Sequence, residues 1–287
     1  MLARLFAFLQ YLLPKYWLTA LVYRLARVRV PAVKNMLIRG FLKLFDVELE
    51  EVKGRVPEDF HTFNDFFIRE LKDGARPVDP KPTAIVSPAD GTLSQAGALR
   101  GNRILQAKGI DYSLEDLLAA DVDKAAEFGD GAFATIYLAP YNYHRVHAPV
   151  DGELVAAHYV PGDLFSVNSK TAAHVPGLFS RNERLNLHFQ TAFGPMVVVL
   201  VGALNVGSIS TPWSGEIRPR KSGVVERIDI SAAPRQVRKG DLLGWFNMGS
   251  TVIVLLPPGS ATWHDEFKAG VRTIMGEAIG ELSAPGA

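Results

Sequence analysis

Two patterns of apolar positions follow one another along the chain. Up to about residue 45 the apolar and aromatic residues recur in a helical pattern, interrupted at Pro14 and Pro31, where a proline ring breaks the helical hydrogen-bond ladder. "HTFNDFFIREL" (61–71) predicts one more short helix, with Thr62 as N-cap and Asp65 three residues on. The proline-rich "ARPVDPKP" (75–82) then connects to a different regime. From "AIVSPADGTLSQAGAL" through "AFATIYLAP", "GELVAAHYV", "RLNLHFQTA", "GPMVVVLVGAL" and "GVVERIDI" to "STVIVLLP", short β-favouring runs alternate with Gly, Pro and Asp turns. One helix is predicted among them, near 111–120, with Ser113 as N-cap. "VRKGDLLGWF" (237–246) reads as a turn between strands, with Gly240 in the left-handed position and Asp241 bonding local backbone.

This order predicts an α+β protein in which N-terminal amphipathic helices precede a mainly antiparallel β barrel or sandwich. Residues 1–75 form the expected helical, membrane-associating region and 76–287 the β-rich region. There is no internal repeat and no low-complexity tract.

Charge sharpens the reading of the helices. The chain of 287 residues has a formal net charge of only +1, so nothing global points to nucleic acid. Yet residues 1–45 hold eight basic residues and no acidic one, interleaved with Tyr, Trp and Phe, which leaves the remainder at −7. Basic residues set among Leu and aromatics describe a segment lying on an anionic lipid surface. The longest uncharged run there, Leu5 to Pro14, is ten residues and ends at Lys15, too short to cross a bilayer. No small-residue cleavage site follows it, so a signal peptide is not expected. The expected location is peripheral, on the cytoplasmic side of the cell membrane.

Cysteine is absent, which excludes disulfides, thiolate metal sites and a cysteine nucleophile. Of seven histidines, His144 and His147 in "APYNYHRVHAPVDG" (139–152) stand out at the exit of an apolar strand. His-x-x-His can ligate zinc, but no third ligand lies at helical spacing, so no metal is expected. On a regular strand the two would point to opposite faces and serve different purposes. Asp90 lies in the Pro-Ala-Asp-Gly turn of "SPADGTL", which by itself reads as a plain turn. Gly249 and Ser250 open the strand "STVIVLLP", and a Gly-Ser pair there is also an ordinary turn by itself.

Taken together, these segments resemble the pyruvoyl-dependent phosphatidylserine decarboxylases of bacterial type. The resemblance rests on "TFNDFFIRELKDGARPVD" (62–79), "SPADG" (87–91), "YHRVHAPVDG" (143–152), "PGDLFSVN" (161–168), "NERL" (182–185), "VGALNVGSI" (201–209) and "KGDLLGWFNMGSTVIV" (239–254). One departure is Met248, where the family tetrapeptide Leu-Gly-Ser-Thr begins with leucine; the swap conserves volume and apolar character.

The resemblance implies a proenzyme that cuts itself at Gly249–Ser250 into a β chain, 1–249, and an α chain, 250–287. Ser250 would attack the Gly249 carbonyl, and Gly249 would allow the backbone geometry this needs. His147, backed by Asp90, would activate the hydroxyl. Ser250 would end as a covalent pyruvoyl cofactor, the electron sink for converting phosphatidylserine to phosphatidylethanolamine, with His144 serving that decarboxylation. The implied partners are membrane phosphatidylserine, an anionic lipid surface and the two chains of one proenzyme; a homo-oligomer is compatible with the sequence. Three rivals remain at this point. A serine hydrolase using Asp90, His147 and Ser250 lacks the Gly-x-Ser-x-Gly elbow. A non-catalytic β-domain would never be cut, and a related decarboxylase would take another headgroup.

Overall fold

The computed structural model describes residues 2–119, 125–205 and 208–283. Ala120, at the end of the helix expected near 111–120, and Val206 and Gly207 of "VGALNVGSI" lie outside them. Three helices open the chain: α1 (Leu2–Leu12), α2 (Lys15–Ala26) and α3 (Pro31–Leu44). Pro14 precedes α2 and Pro31 starts α3, where a missing N–H costs no intrahelical bond. A fourth, α4 (Phe63–Phe67), is capped by Thr62, whose Oγ1 accepts the Asp65 N–H at 3.0 Å. It stops short of residue 71 because the chain beyond it runs out to bridge Leu71 to Val52. Phe41, Phe63, Phe66 and Phe67 form a small aromatic core with Ala26, Ile38 and Val47, their rings meeting edge to face at 5.4–6.1 Å from Phe41. No helix among the described residues is long and apolar enough to cross a membrane.

The rest is built on antiparallel sheets. In the largest, neighbouring strands follow the order Glu226–Arg227, Gly152–Val160, Arg184–Thr191, Gly194–Val201, Ser250–Leu256, Ala132–Leu138, Gly91–Ala98 and Arg272–Thr273. Gln236–Val237 adds to the side of Gly152–Val160. This path has two ends, so the sheet is open and not a closed barrel. A four-stranded sheet runs Gly215–Ile217, Ile209–Thr211, Leu242–Phe246, Arg145–His147, and a three-stranded one runs Ala84–Val86, Ala278–Leu282, Ala261–Trp263.

Ser250–Leu256 lies deep in the large sheet. All seven of its residues are buried, and it pairs with Leu138–Ala132 on one side and Val201–Val197 on the other. A strand enclosed on both faces reads as an unbroken apolar run, which "STVIVLLP" is. Gly91 of "SPADG" serves the same packing: a Cβ there would stand 2.5 Å from the Tyr137 carbonyl oxygen.

Three expectations need correction. The stretch near 111–120 begins as a strand, Ile110–Ser113, and the helix is only Leu114–Leu118, although Ser113 caps it as expected. Two further short helices, Ser169–Ala172 and Leu178–Arg181, occupy a stretch where no helix was expected. Each is a single turn, too short to leave a periodic signal, and the first is held by the Asn168 cap. "GVVERIDI" gives only Glu226–Arg227, because at the edge of the sheet it meets just Tyr159 and His158.

The central strand generates a stability prediction. Leu255→Ala, made in a Ser250→Ala background so that the chain stays in one piece, should lose about 2–5 kcal/mol by the cost of a large-to-small core change. A lowered urea midpoint at unchanged slope would show it; an unchanged midpoint would mean the strand is not packed as described.

Candidate active site

The Gly249–Ser250 bond lies where the Leu242–Phe246 strand of one sheet hands over to the Ser250–Leu256 strand of another. The intervening turn is held by Asn247. Its Nδ2 donates to Ser208 Oγ at 2.8 Å and Ser210 Oγ at 2.9 Å, and its Oδ1 accepts from Asn64 Nδ2 at 3.1 Å. Met248 is half-buried and packs against both the aromatic helical core and the β core, which suits an unbranched, adaptable side chain.

Ser250 is buried at the first position of its strand, opposite Leu138, and its Oγ has no hydrogen-bond partner. A buried hydroxyl without a partner carries a desolvation cost that native proteins rarely accept outside sites of chemistry. Gly249 does not occupy the left-handed region. A Cβ there would make only ordinary contact, 3.5 Å from the Leu138 carbonyl oxygen and 3.9 Å from His144 Nε2. In the uncut chain glycine is thus not demanded by backbone conformation; its effect is to leave the carbonyl bare.

His144 is the ring beside that bond. It is fully buried, lies 4.2 Å centroid to centroid from Phe67, and has no well-aligned partner for either ring nitrogen. Burial, reinforced by the Arg69 charge and only partly offset by the Asn142 backbone, pushes its pKa down to about 3, so it is neutral. Arg69 is the residue that shapes this pocket. Its guanidinium donates to the carbonyls of Tyr141 (2.8 Å) and Asn142 (3.2 Å), tying the chain after α4 to the segment that carries His144.

His147 belongs to a different environment. Its Nδ1 donates to the Gly240 carbonyl at 2.8 Å, leaving Nε2 as the acceptor, 3.1 Å from the Tyr143 hydroxyl. Its pKa is lowered, chiefly by burial. With Tyr143 it lines a small cavity of about 240 Å³ that His144 does not reach. The opposite-face expectation therefore holds for the pair.

Asp90 is close to His147 but does not hold it by a hydrogen bond. Its carboxylate is gripped by Arg76, Nη2 to Oδ2 at 2.6 Å and Nε to Oδ1 at 3.0 Å, and accepts the Met275 N–H at 2.8 Å. What joins the two segments is backbone: the His147 N–H donates to the Pro88 carbonyl at 2.8 Å. Asp90 reaches His147 through its charge alone, which favours the protonated ring. Asp90, Arg69, Arg76, Tyr141, Asn142 and Tyr143 border a larger cavity of about 460 Å³.

Thus the structure gathers Gly249, Ser250 and His144 in one place, with His147 at the end of the neighbouring Arg145–His147 strand and Asp90 in the turn beside it. Sequence reasoning passed over Arg69, Arg76, Tyr143, Asn64 and Asn247. The available signal was an arginine in each of the apolar or turn segments "FFIREL" and "GARPVD". Among the described residues no group of three or more His, Cys, Asp or Glu could hold a metal ion.

The desolvated His144 has a consequence for acid stability. Its folded pKa lies below the usual 6.5, so between those values the unfolded chain binds a proton that the folded chain does not. Stability should fall as pH falls through that window, by up to about 1.4 kcal/mol per pH unit from this residue. His144→Gln in the uncut Ser250→Ala chain should flatten the loss between about pH 6 and pH 4, read from urea midpoints at stepped pH. Equal slopes for parent and variant would show that the ring is not desolvated.

The comparisons with known proteins agree with one another. A family model for phosphatidylserine decarboxylase matches residues 63–281, and a second, PSD, matches residues 5–46. A phosphatidylserine decarboxylase proenzyme of Methylococcus capsulatus is 49% identical over 277 residues, 96% of either chain. Proteins of the same name from Saccharophagus degradans (45% identical, 97% of either chain) and Alcanivorax borkumensis (49% identical, 93% of this chain and 92% of the relative) are similarly close. With identity at this level along almost its whole length, the chain belongs to the phosphatidylserine decarboxylase family.

Proposed function

We propose that the protein is a proenzyme that cuts itself between Gly249 and Ser250 and then decarboxylates phosphatidylserine to phosphatidylethanolamine. The observation that carries this reading is the buried, unpartnered Ser250 hydroxyl directly after Gly249, a residue with no side chain, beside the buried His144 ring. Ser250 Oγ bonds to the Gly249 carbonyl carbon and the C–N bond breaks, its proton passing to the nitrogen. The resulting ester eliminates: the Ser250 α-proton leaves, the Cβ–O bond breaks, and Gly249 departs as a carboxylate. Water adds to the dehydroalanine and ammonia leaves, giving a pyruvoyl end on chain 250–287. The net change is one water consumed and one ammonia released.

The pocket suits such a group. Conversion removes the hydroxyl that has no partner, and His144, Leu138 and Phe67 enclose the position. Once formed, a pyruvoyl group supplies an electron sink for loss of CO₂ from an α-amino acid carboxylate. The neutral His144 ring moves a proton at that position, while Phe67 and Met248 keep water away. His147, with Nδ1 fixed on the Gly240 carbonyl and Nε2 unprotonated beside the Tyr143 hydroxyl, is the base for the cleavage, and the Asp90 charge stabilises its protonated form. A second reading, favoured by His144 Nε2 lying within contact distance (3.9 Å) of where a Gly249 Cβ would stand, gives the cleavage step to His144 as well.

Residues 1–75 form the membrane-associating region and 76–287 the catalytic one. The exposed Phe8, Leu12, Trp17, Leu21 and Leu25 of α1 and α2 rest on the cytoplasmic face of the cell membrane, where a lipid substrate resides.

Intact mass and a denaturing gel test the chemistry together. Wild-type protein should give two chains, the shorter beginning at position 250 without a free amine; Ser250→Ala should remain one inactive chain. His147→Ala should slow cleavage by about 10²–10⁴-fold, the usual worth of a positioned base. His144→Ala should be cut yet lose decarboxylation by a comparable factor. Failure of His144→Ala to be cut would select the second reading, and an active Ser250→Ala chain would overturn the mechanism.

A further inference from the structure

Away from the catalytic residues, a cleft of about 410 Å³ lies between α2 and the segment after Ile217, lined by Tyr16, Thr19, Tyr23, Arg24, Arg218 and their small neighbours. No carboxylate lines it. Its hydroxyls are already used: Tyr16 donates to the Gly162 carbonyl, and Thr19 Oγ1 accepts the Asn205 N–H at 3.2 Å. Its cations are not neutralised. Among the described residues Arg24, which is exposed, pairs with no carboxylate, and Arg218 donates only to the Tyr23 hydroxyl, at 2.7 Å. Of the acids nearby, Glu216 accepts from Tyr23 at 2.9 Å but is balanced by Arg27 at 2.7 Å, and Asp163 is paired with Lys15 at 2.9 Å. Tyr23 is itself sandwiched, with Arg27 3.6 Å and Arg218 4.6 Å from its ring centre, which fixes the Arg218 guanidinium at the cleft.

The surroundings point to the ligand. On a helix of 3.6 residues per turn, Arg24 stands between the cleft residues Ala20 and Tyr23 and the stripe Trp17, Leu21, Leu25. Those three are 68%, 51% and 46% exposed, large apolar side chains facing outward. An anionic pocket-filler with hydrocarbon attached on one side matches this arrangement. We propose that the cleft binds the phosphodiester of a membrane phospholipid, clamped between Arg24 and Arg218, with the acyl chains lying along Trp17, Leu21 and Leu25. The site is separate from the catalytic one and would fix how the protein sits on the bilayer. It deepens the membrane reading above and rests on it.

The test is co-sedimentation of the full-length enzyme with vesicles of phosphatidylcholine alone or mixed with phosphatidylglycerol. Arg24→Gln and Arg218→Gln should each weaken binding to mixed vesicles about 5-fold, near the worth of one basic residue at an anionic surface. The double variant should fall well below Arg29→Gln/Arg39→Gln, which removes the same charge from two other exposed positions, one between α2 and α3 and one on α3. Decarboxylation of detergent-dispersed substrate should stay unchanged. Equal losses in the two double variants would mean diffuse attraction and overturn the site. Wild-type protein that fails to bind mixed vesicles would instead overturn the membrane reading itself. Arg218→Gln also removes a contact to α2, so the single Arg24→Gln, at an exposed unpaired residue, keeps the result readable. Inorganic phosphate and a short-chain phosphatidylglycerol below its micelle concentration, titrated against the Arg218 side-chain NMR signal, separate free phosphate from lipid. Tighter binding of the lipid supports the proposal, and equal binding of phosphate overturns it.

Discussion

The ladder that holds Ser250–Leu256 between two neighbours is the constraint on which the rest of the molecule depends. The proposed cut demands that both pieces stay in register, or the new end loses its surroundings as it is made. Here Ser250 pairs with Leu138, and Thr251 pairs with both Tyr137 and Val201. Downstream, Arg272–Thr273 joins the edge of the same sheet, and Ala278–Leu282 sits between Ala84–Val86 and Ala261–Trp263. Residues 250–283 are thereby bound to the rest of the fold through three separate strands. Breaking one peptide bond at the start of the first removes little of that, because hydrogen bonds and apolar burial remain on either side of the cut.

That same enclosure sets the electrostatics. A hydroxyl and an imidazole with no partners are costly to bury, and the cost is borne by what surrounds them. Arg69 spends its donors on the Tyr141 and Asn142 carbonyls and so anchors the His144 segment, while its charge helps keep the ring neutral. Arg69 is itself buried enough that its pKa falls to about 10, still charged at neutral pH. Arg76 acts on the neighbouring loop, holding the Asp90 side chain in a fixed orientation. One arginine anchors the segment that carries the buried ring and another fixes the acid, and both border a single cleft.

Much of this was legible in the sequence, and the reasons are local. The prolines at 14 and 31, the Thr62 and Ser113 caps, and the apolar runs around 132–138, 194–201 and 250–256 each act over a few residues, so pattern suffices to read them. The left-handed Gly240, at φ 89°, and the Asp241 carboxylate accepting the Arg238 N–H at 2.7 Å are of the same kind. The motif residues Gly249, Ser250, His144, His147 and Asp90 were named by resemblance. What stayed hidden depends on contacts between distant segments. Nothing near Asp90 in sequence indicates that Arg76 and Met275 take up its carboxylate, or that Gly240 orients His147. Asn64 and Asn247 meet across 183 positions. "NERL" proved to be a set of clamps: the Asn182 Nδ2 donates to the Phe165 and Gly202 carbonyls, and Arg184 Nε donates to the Leu117 carbonyl, each at 2.6–2.8 Å. Such pairings follow from topology, which periodicity does not specify.

The N-terminal helices raise the last question, how a surface layer can be both oily and firmly attached. While α3 packs through the apolar Ile38 and Phe41, the inward contacts of α1 and α2 include several polar ones. Lys15 is buried and pairs with Asp163 at 2.9 Å, Gln10 Nε2 donates to Thr171 Oγ1 at 3.0 Å, and the Ser166 N–H donates to Gln10 Oε1 at 2.8 Å. Their outward faces carry the exposed Leu, Phe and Trp side chains. This inverts the usual amphipathic arrangement, in which apolar residues face the protein and polar residues face out. An exposed apolar stripe costs free energy in water and none against hydrocarbon. Directional hydrogen bonds on the inner side also fix the angle of each helix more sharply than apolar packing would. The result ties a surface suited to lipid to the segment at 161–171 and to Glu216, which accepts from Tyr23 and from Ser208, and Ser208 in turn accepts from Asn247. The turn before Ser250 and the exposed apolar layer are thus joined by a short chain of hydrogen bonds rather than by proximity alone.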